Sequence, residues 1–189
     1  MLGQTRSRSQ RPARRCAQAR AFISEASGPP ESEEEEERLT STLHALDHAS
    51  RLAEVAGEKG DFGSMPSGSE EARAAESCAE AMRNAVSMAG EVGALPDDPY
   101  QAAPVEPLGE EKEVAAHGAS TGPAMVHLER CATALAELQR AHRTMTFRSV
   151  AAGTVSADEA IARVDRVRRL EALARHAWRS AAHLVDGVG

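Results

Sequence analysis

SADEAIARVDRVRRLEALARHAWRSAAHLV, residues 156–185, is the stretch in which start signal, periodicity and polar decoration agree. Ser156 followed three residues later by Glu159 is a capping-box pattern: the serine oxygen takes one orphan backbone N–H and the glutamate reaches back to another. Gly153 stands just ahead as a breaker. From there Ala160, Val164, Val167, Leu170, Ala174, Ala177, Ala181 and Leu184 recur at spacings of three and four, which is one face of a helix. Arg163, Arg166, Arg169 and Arg179 decorate the other face. At about 1.5 Å per residue such a helix spans roughly 45 Å. It needs partners of similar length, and the fold it predicts is all-α, an antiparallel helical bundle.

Upstream, Met125, Leu128, Ala132, Leu135, Leu138, Met145 and Ser149 predict another long helix ending near Ala152, joined to the first by Gly153 and Thr154. Ser69 is an acceptable N-cap for a third, with Glu70 and Glu71 in its first turn. Its seam is Ala75, Cys78, Met82, Ala85, Ala89 and Val92, closing at Gly93. The glutamate run over residues 31–37 suits the positive end of a helix dipole. It leads into Leu39, Leu43, Leu46, Ala49, Ala53 and Ala56 before Gly57. The count is four principal helices over residues 32–186, with no strand pattern and no fixed-period repeat. Residues 94–123, with Pro96, Pro99, Pro104, Pro107 and Pro123, read as a flexible linker holding a short helix over 110–116. Residues 57–69 read as a loop. Residues 1–31 read as a disordered basic tail and linker: Arg6, Arg8, Arg11, Arg14, Arg15 and Arg20 come without an acid before Ser24. That composition also suits a transit peptide or basic arm, but no clear amphipathic seam accompanies it.

Composition limits what this bundle does. Aromatics are 3% of the chain, with Trp178 and Tyr100 each the only one of its kind, so alanine must fill much of the core. Alanine favours helix strongly but buries little area, which points to a partner or a second copy of the chain. A net charge of −7 argues against a general nucleic-acid binder. Cys16, Cys78 and Cys131 form no CxxC and read as reduced thiols of a cytoplasmic protein. No apolar run reaches the 18 or so residues of a membrane span, so direct membrane insertion is not expected.

Few residues suggest chemistry. No glutamate has histidine three residues on, which disfavours a di-iron bundle. No GxSxG and no phosphate loop are present, so no enzymatic activity is expected. His44, Asp47 and His48 share one helical face at a spacing able to hold a metal. The same spacing also fits a solvated helix surface. On the last helix Glu171 adjoins Leu170, and His176 and His183 share a stripe with Arg179 between them.

STLHALDHASRLAE, residues 41–54, and RVRRLEALARHAWRSAAHL, residues 166–184, resemble two copies of the signature helix of PhoU-like domains, which reads Leu-Glu-Arg-Ile-Gly-Asp-His. The nearest likeness is to the cytoplasmic PhoU-like region of bacterial sodium/phosphate cotransporters, where a segment like FRSVAAGTVSADEAIARVD, residues 147–165, leads into the last helix. The resemblance covers roughly residues 38–185, with the proline-rich middle unmatched. It implies an all-helical fold, the last helix of one three-helix unit followed by the whole of the next. It also implies that any transporter membrane segment lies outside this chain.

In that family Glu-x-x-x-Asp pairs bind a metal cluster. By position, the first copy has Leu43 where the glutamate belongs and keeps Asp47, followed by His48; the second keeps Glu171 but has Arg175 for the aspartate, followed by His176. The resemblance thus implies a degraded metal set of Asp47, His48, Glu171 and His176. No resident cofactor is expected, or at most a weakly bound divalent metal, with Asp47 and Glu171 turned to packing or ion pairing. The implied function is a non-enzymatic regulator of phosphate transport or phosphate signalling, which docks on a phosphate transporter membrane domain or a phosphate-signalling protein. It would be cytoplasmic, peripheral at the inner membrane through that partner. A helical adaptor or homodimerisation module unrelated to phosphate is the alternative.

Overall fold

The computed structural model describes residues 10–26, 28–58, 65–93 and 121–186, and these residues form an all-α structure. Five helices follow in order: α1 (Gln10–Ala26), α2 (Glu33–Gly57), α3 (Glu70–Gly93), α4 (Thr121–Ala151) and α5 (Ala157–Asp186). Residues 94–120, and with them the short helix expected over 110–116, lie outside the described residues, as do residues 59–64 of the expected 57–69 loop.

Capping sets the starts. Ser156 Oγ accepts from the Glu159 N–H at 3.2 Å, as the capping-box pattern requires. The Glu159 carboxylate, however, turns outward to Arg163 at 2.8 Å, so only half of the box forms. Ser69 caps α3 through the Ala72 N–H at 3.1 Å, and Ser32 caps α2 through the Glu35 N–H at 3.2 Å. Between α4 and α5 the chain reverses at Gly153, whose φ of +71° is costly for any residue with a Cβ. Pro123 falls in the first turn of α4, where its missing N–H has no intrahelical partner to lose, so the end of the expected linker is helix.

α5 is the shared element: α2, α3 and α4 all pack on it, α3 also packs on α4, and among the described helices α1 touches only α2. The pairs Glu71–His142 and Glu80–His127 run α3 antiparallel to α4. His44–His183, Ser180–Ala45 and Arg169–Glu58 run α2 antiparallel to α5. The core is thin. Among the described residues nine of the sixteen buried apolar ones are alanine, and the largest fully buried side chains are Met88, Leu128, Leu135 and Val167. Small residues let the helix backbones approach closely. On α5 that seam is Ala160, Val167, Leu170, Ala174, Ala177 and Ala181, as the periodicity predicts.

The structure departs from the sequence reading at three places. Residues 10–26, expected to belong to a disordered tail, form α1, where Arg20 Nη2 lies 3.2 Å from Asp47 Oδ1 and Ile23 faces Leu39 and Thr42 across a crevice. The partly buried side of α1 is Cys16, Ala19, Arg20 and Ile23, a short stripe at helical spacing in which the arginine pairs with an acid of α2. Leu43 and Ala56, which periodicity assigns to the seam of α2, are exposed, while Ala45 and Ala53 are buried. Closeness of α2 to α5 selects the smallest residues, not the largest. Likewise Met145 and Ala89 face outward, and the C-terminal half of α4 turns His142 and Thr146 inward to meet Glu71.

Candidate functional site

Four of the seven histidines of the chain meet at the α2–α5 seam. His44 and His48 are one turn apart on α2; His176 and His183 are two turns apart on α5, and the antiparallel packing brings the two pairs face to face. The His44 and His183 rings stack at 5.1 Å, and His48 lies parallel to His183 at 5.7 Å. His48 Nδ1 and His176 Nδ1 are 3.1 Å apart. At that distance one ring donates its N–H and the other accepts, so the pair holds a single proton between its two nitrogens.

Of the four residues the resemblance singles out, the fold brings His48 and His176 together and holds both carboxylates elsewhere. Asp47 is exposed and bound to Arg20. Glu171 accepts from Arg175 Nε at 3.0 Å, one turn along the same helix. Leu43 points to solvent. The His48–His176 spacing is close to the edge, about 3.3 Å, of a tetrahedral site with metal–nitrogen bonds of 2.0–2.1 Å. Two imidazoles without a carboxylate make a weak chelate for a divalent ion. Below them, Arg169 Nε and Nη2 both reach Glu58 Oε2, at 3.0 and 2.9 Å, and fasten the end of α2 to α5.

Both paired rings titrate below the ordinary histidine range. For His48 burial is the main cause, followed by His183, with Arg179 and His44 adding to it and Asp47 opposing. For His176 burial again leads, then Arg175, His48 and Arg51, with Asp47 opposing. The unfolded chain therefore binds protons more readily than the folded one. The stability these rings contribute is fully present above a pH of about 6.5 and is lost as pH falls from there toward their lowered values. Thermal unfolding followed by circular dichroism should give a lower Tm at about pH 5.5 than at about pH 7.5. The fall should shrink in His48→Gln/His176→Gln; an undiminished fall would remove the histidine pair as its cause.

A second polar cluster involves residues that carry no motif in the sequence. Glu71 and His142 are both buried, at 7% and 4% exposure, with Glu71 Oε1 3.4 Å from His142 Nε2 and 4.0 Å from Arg163 Nε. Burial works to raise the Glu71 carboxyl, but its own backbone N–H, the His142 ring and the Arg163 guanidinium outweigh that and hold it below the usual carboxylate range. His142 Nδ1 has no hydrogen-bond partner among the described residues. A signal for this cluster does exist in the spacing: Leu128, Leu135 and His142 recur every seven residues, which puts the histidine on the buried face.

Among the described residues α2 and α3 do not touch, although both pack on α5, and an apolar groove opens between them. It holds about 240 Å³ and is lined by Leu52 of α2, by Met82 and Val86 of α3, and by Ala181, Leu184 and Val185 of α5. Val86 is 73% exposed. Among the described residues no helix is long and apolar enough to cross a membrane.

No protein-family model, no curated protein and no solved structure matches this chain. The PhoU-like likeness therefore stands on its two sequence stretches alone.

Proposed function

We propose that this chain is a non-enzymatic docking module of the PhoU-like kind, which regulates phosphate transport or phosphate signalling by receiving an amphipathic helix of its partner. The groove between α2 and α3 carries this reading. Its floor on α5 is made of Ala177, Ser180 and Ala181, small enough to admit a helix, and its walls supply Leu52, Met82 and Val86 as apolar contacts. An amphipathic helix with apolar residues at i, i+3, i+4 and i+7 fits such a slot. The partner is a phosphate transporter membrane domain or a phosphate-signalling protein, and the module acts in the cytoplasm, held at the inner membrane by that contact. Support for the phosphate link comes from the two signature-like stretches, which lie side by side on α2 and α5.

The test is sodium-dependent uptake of labelled phosphate in the source cells, with the gene intact, deleted, or replaced by Val86→Glu. Val86 lines the groove but contributes little to the core, so a charge there blocks docking and leaves the bundle folded. Deletion should change uptake, the intact gene should restore it, and Val86→Glu should fail to. If uptake is indifferent to deletion at both low and high phosphate, the phosphate reading is wrong, and a helical adaptor or homodimer using the same groove takes its place.

A further inference from the structure

On the side of α3 away from the histidine seam, Glu80 meets His127 and Cys131 of α4. His127 Nε2 lies 2.6 Å from Glu80 Oε1, and a carboxylate oxygen, an imidazole nitrogen and the thiol sulfur all fall within 4.8 Å of one another. The spacing of the two α4 residues, one helical turn, is what aims both at a single point in front of α3. We infer that Glu80, His127 and Cys131 form a zinc site that staples α3 to α4, with water as the fourth ligand.

Three observations converge on this assignment. The donors are one thiolate, one imidazole and one carboxylate, a set suited to zinc and unsuited to magnesium or calcium. Their burial is graded: Cys131 is 9% exposed, while the His127 and Glu80 side chains are 46% and 47% exposed. The site therefore has an inner wall and one open side, where water completes a tetrahedron. Tetrahedral zinc places its ligand atoms roughly 3.2–3.8 Å apart, given bonds of about 2.0–2.3 Å. The imidazole–carboxylate separation of 2.6 Å is shorter than that range and all three separations stay within 4.8 Å, so the half-exposed Glu80 and His127 side chains would turn apart to admit the ion.

The charges also balance. A cysteine thiol carries its proton at neutral pH until a cation displaces it. Zinc binding breaks the S–H bond, releases that proton to solvent and forms a Zn–S bond. Thiolate and carboxylate then cancel the two charges of the ion, while His127 binds through a ring nitrogen that carries no proton. Nothing in this assignment depends on the groove or on a link to phosphate.

Cobalt(II) provides the test, because it takes the same geometry and reports it by absorption. The purified full chain, stripped with a chelator, should bind one equivalent of cobalt with a near-ultraviolet thiolate-to-cobalt band and the strong visible bands of four-coordinate cobalt, both abolished by added zinc. Cys131→Ser should lose the thiolate band. His127→Ala and Glu80→Gln, at half-exposed positions that leave the helices intact by circular dichroism, should each weaken binding by about tenfold or more. Cys78→Ala and His48→Gln/His176→Gln should leave the bands unchanged. Zinc should raise the Tm of the unaltered chain but not that of His127→Ala. Absence of a thiolate band, its survival in Cys131→Ser, or undiminished binding in His127→Ala would overturn the assignment.

Discussion

Leu135→Ala should lower the free energy of unfolding by about 2–5 kcal/mol, measured by chemical denaturation. Leu135 is fully buried in the middle of α4 and belongs to the cluster that joins α3, α4 and α5. The same cluster includes Ala74, Ala81 and Ala174, short side chains with little reach into the space a missing isobutyl group leaves. The cost should therefore lie toward the upper end of the range, where the site fails to collapse. Domains of this size are stable by only about 5–15 kcal/mol, so a loss of this size removes much of the total. Ile161→Ala provides the contrast: Ile161 is 56% exposed, and the same kind of truncation should change stability by less than about 0.5 kcal/mol. Equal effects at the two positions would mean that the core does not lie where the structure puts it.

The second large effect belongs to the buried Glu71. Glu71→Ala removes the partner of His142 and one of the two carboxylates facing Arg163, the other being Glu159. Leaving a buried polar group without its hydrogen-bond partner costs about 1–3 kcal/mol, because the group left behind has given up water without replacing it. His142 is especially vulnerable, since its Nδ1 already has no hydrogen-bond partner among the described residues and Thr146 Oγ1 is 3.5 Å from Nε2, at the edge of hydrogen bonding. Replacing both members with apolar residues of similar size, Glu71→Met with His142→Leu, should recover most of the loss. Denaturation of the single and double variants decides the matter. A double variant as unstable as Glu71→Ala would show that the cluster shapes the helices by more than its charges.

The long periodic helices are legible in the amino-acid sequence, and the details that are not share one physical origin. α5 is visible because one stripe of alanine, valine and leucine runs its whole length and its start carries Ser156 and Glu159. Its expected seam is the observed one, except that Val164 and Leu184 are only partly buried. In α2 the expected seam holds at Leu39, Leu46, Ala49 and Ala53 but not at Leu43, which is exposed while Ala45 is buried, because a helix lying close against one neighbour is positioned by how near its backbone can come. Sequence periodicity records which residues are apolar but not the distance between helices. For α1 the signal within the segment is short, Cys16, Ala19 and Ile23 at helical spacing among arginines, and its Arg20 pairs with an acid of α2 that the segment itself does not reveal.

The same limit governs the sites. His48 and His176 stand out one helix at a time, and their Nδ1–Nδ1 contact exists only because α2 runs antiparallel to α5 in the observed register. The ion pair of Glu171 with Arg175 is readable, since both lie on one helix a turn apart. Glu80 with His127 and Cys131 is only half readable: the α4 pair has the spacing of ligands on one face, but nothing local points to a glutamate 47 residues away.

α5 is the element on which the other helices are assembled, and native-state hydrogen exchange resolved by helix tests that most directly. Amides of α5, flanked by α2, α3 and α4, should exchange slowest, at the limit set by global unfolding. Amides of α1, which among the described helices touches α2 alone, should exchange fastest, with α2 between them. If α1 is as protected as α5, or α5 exchanges as freely as α1, the helices are not arranged around α5, and the groove between α2 and α3 loses its basis.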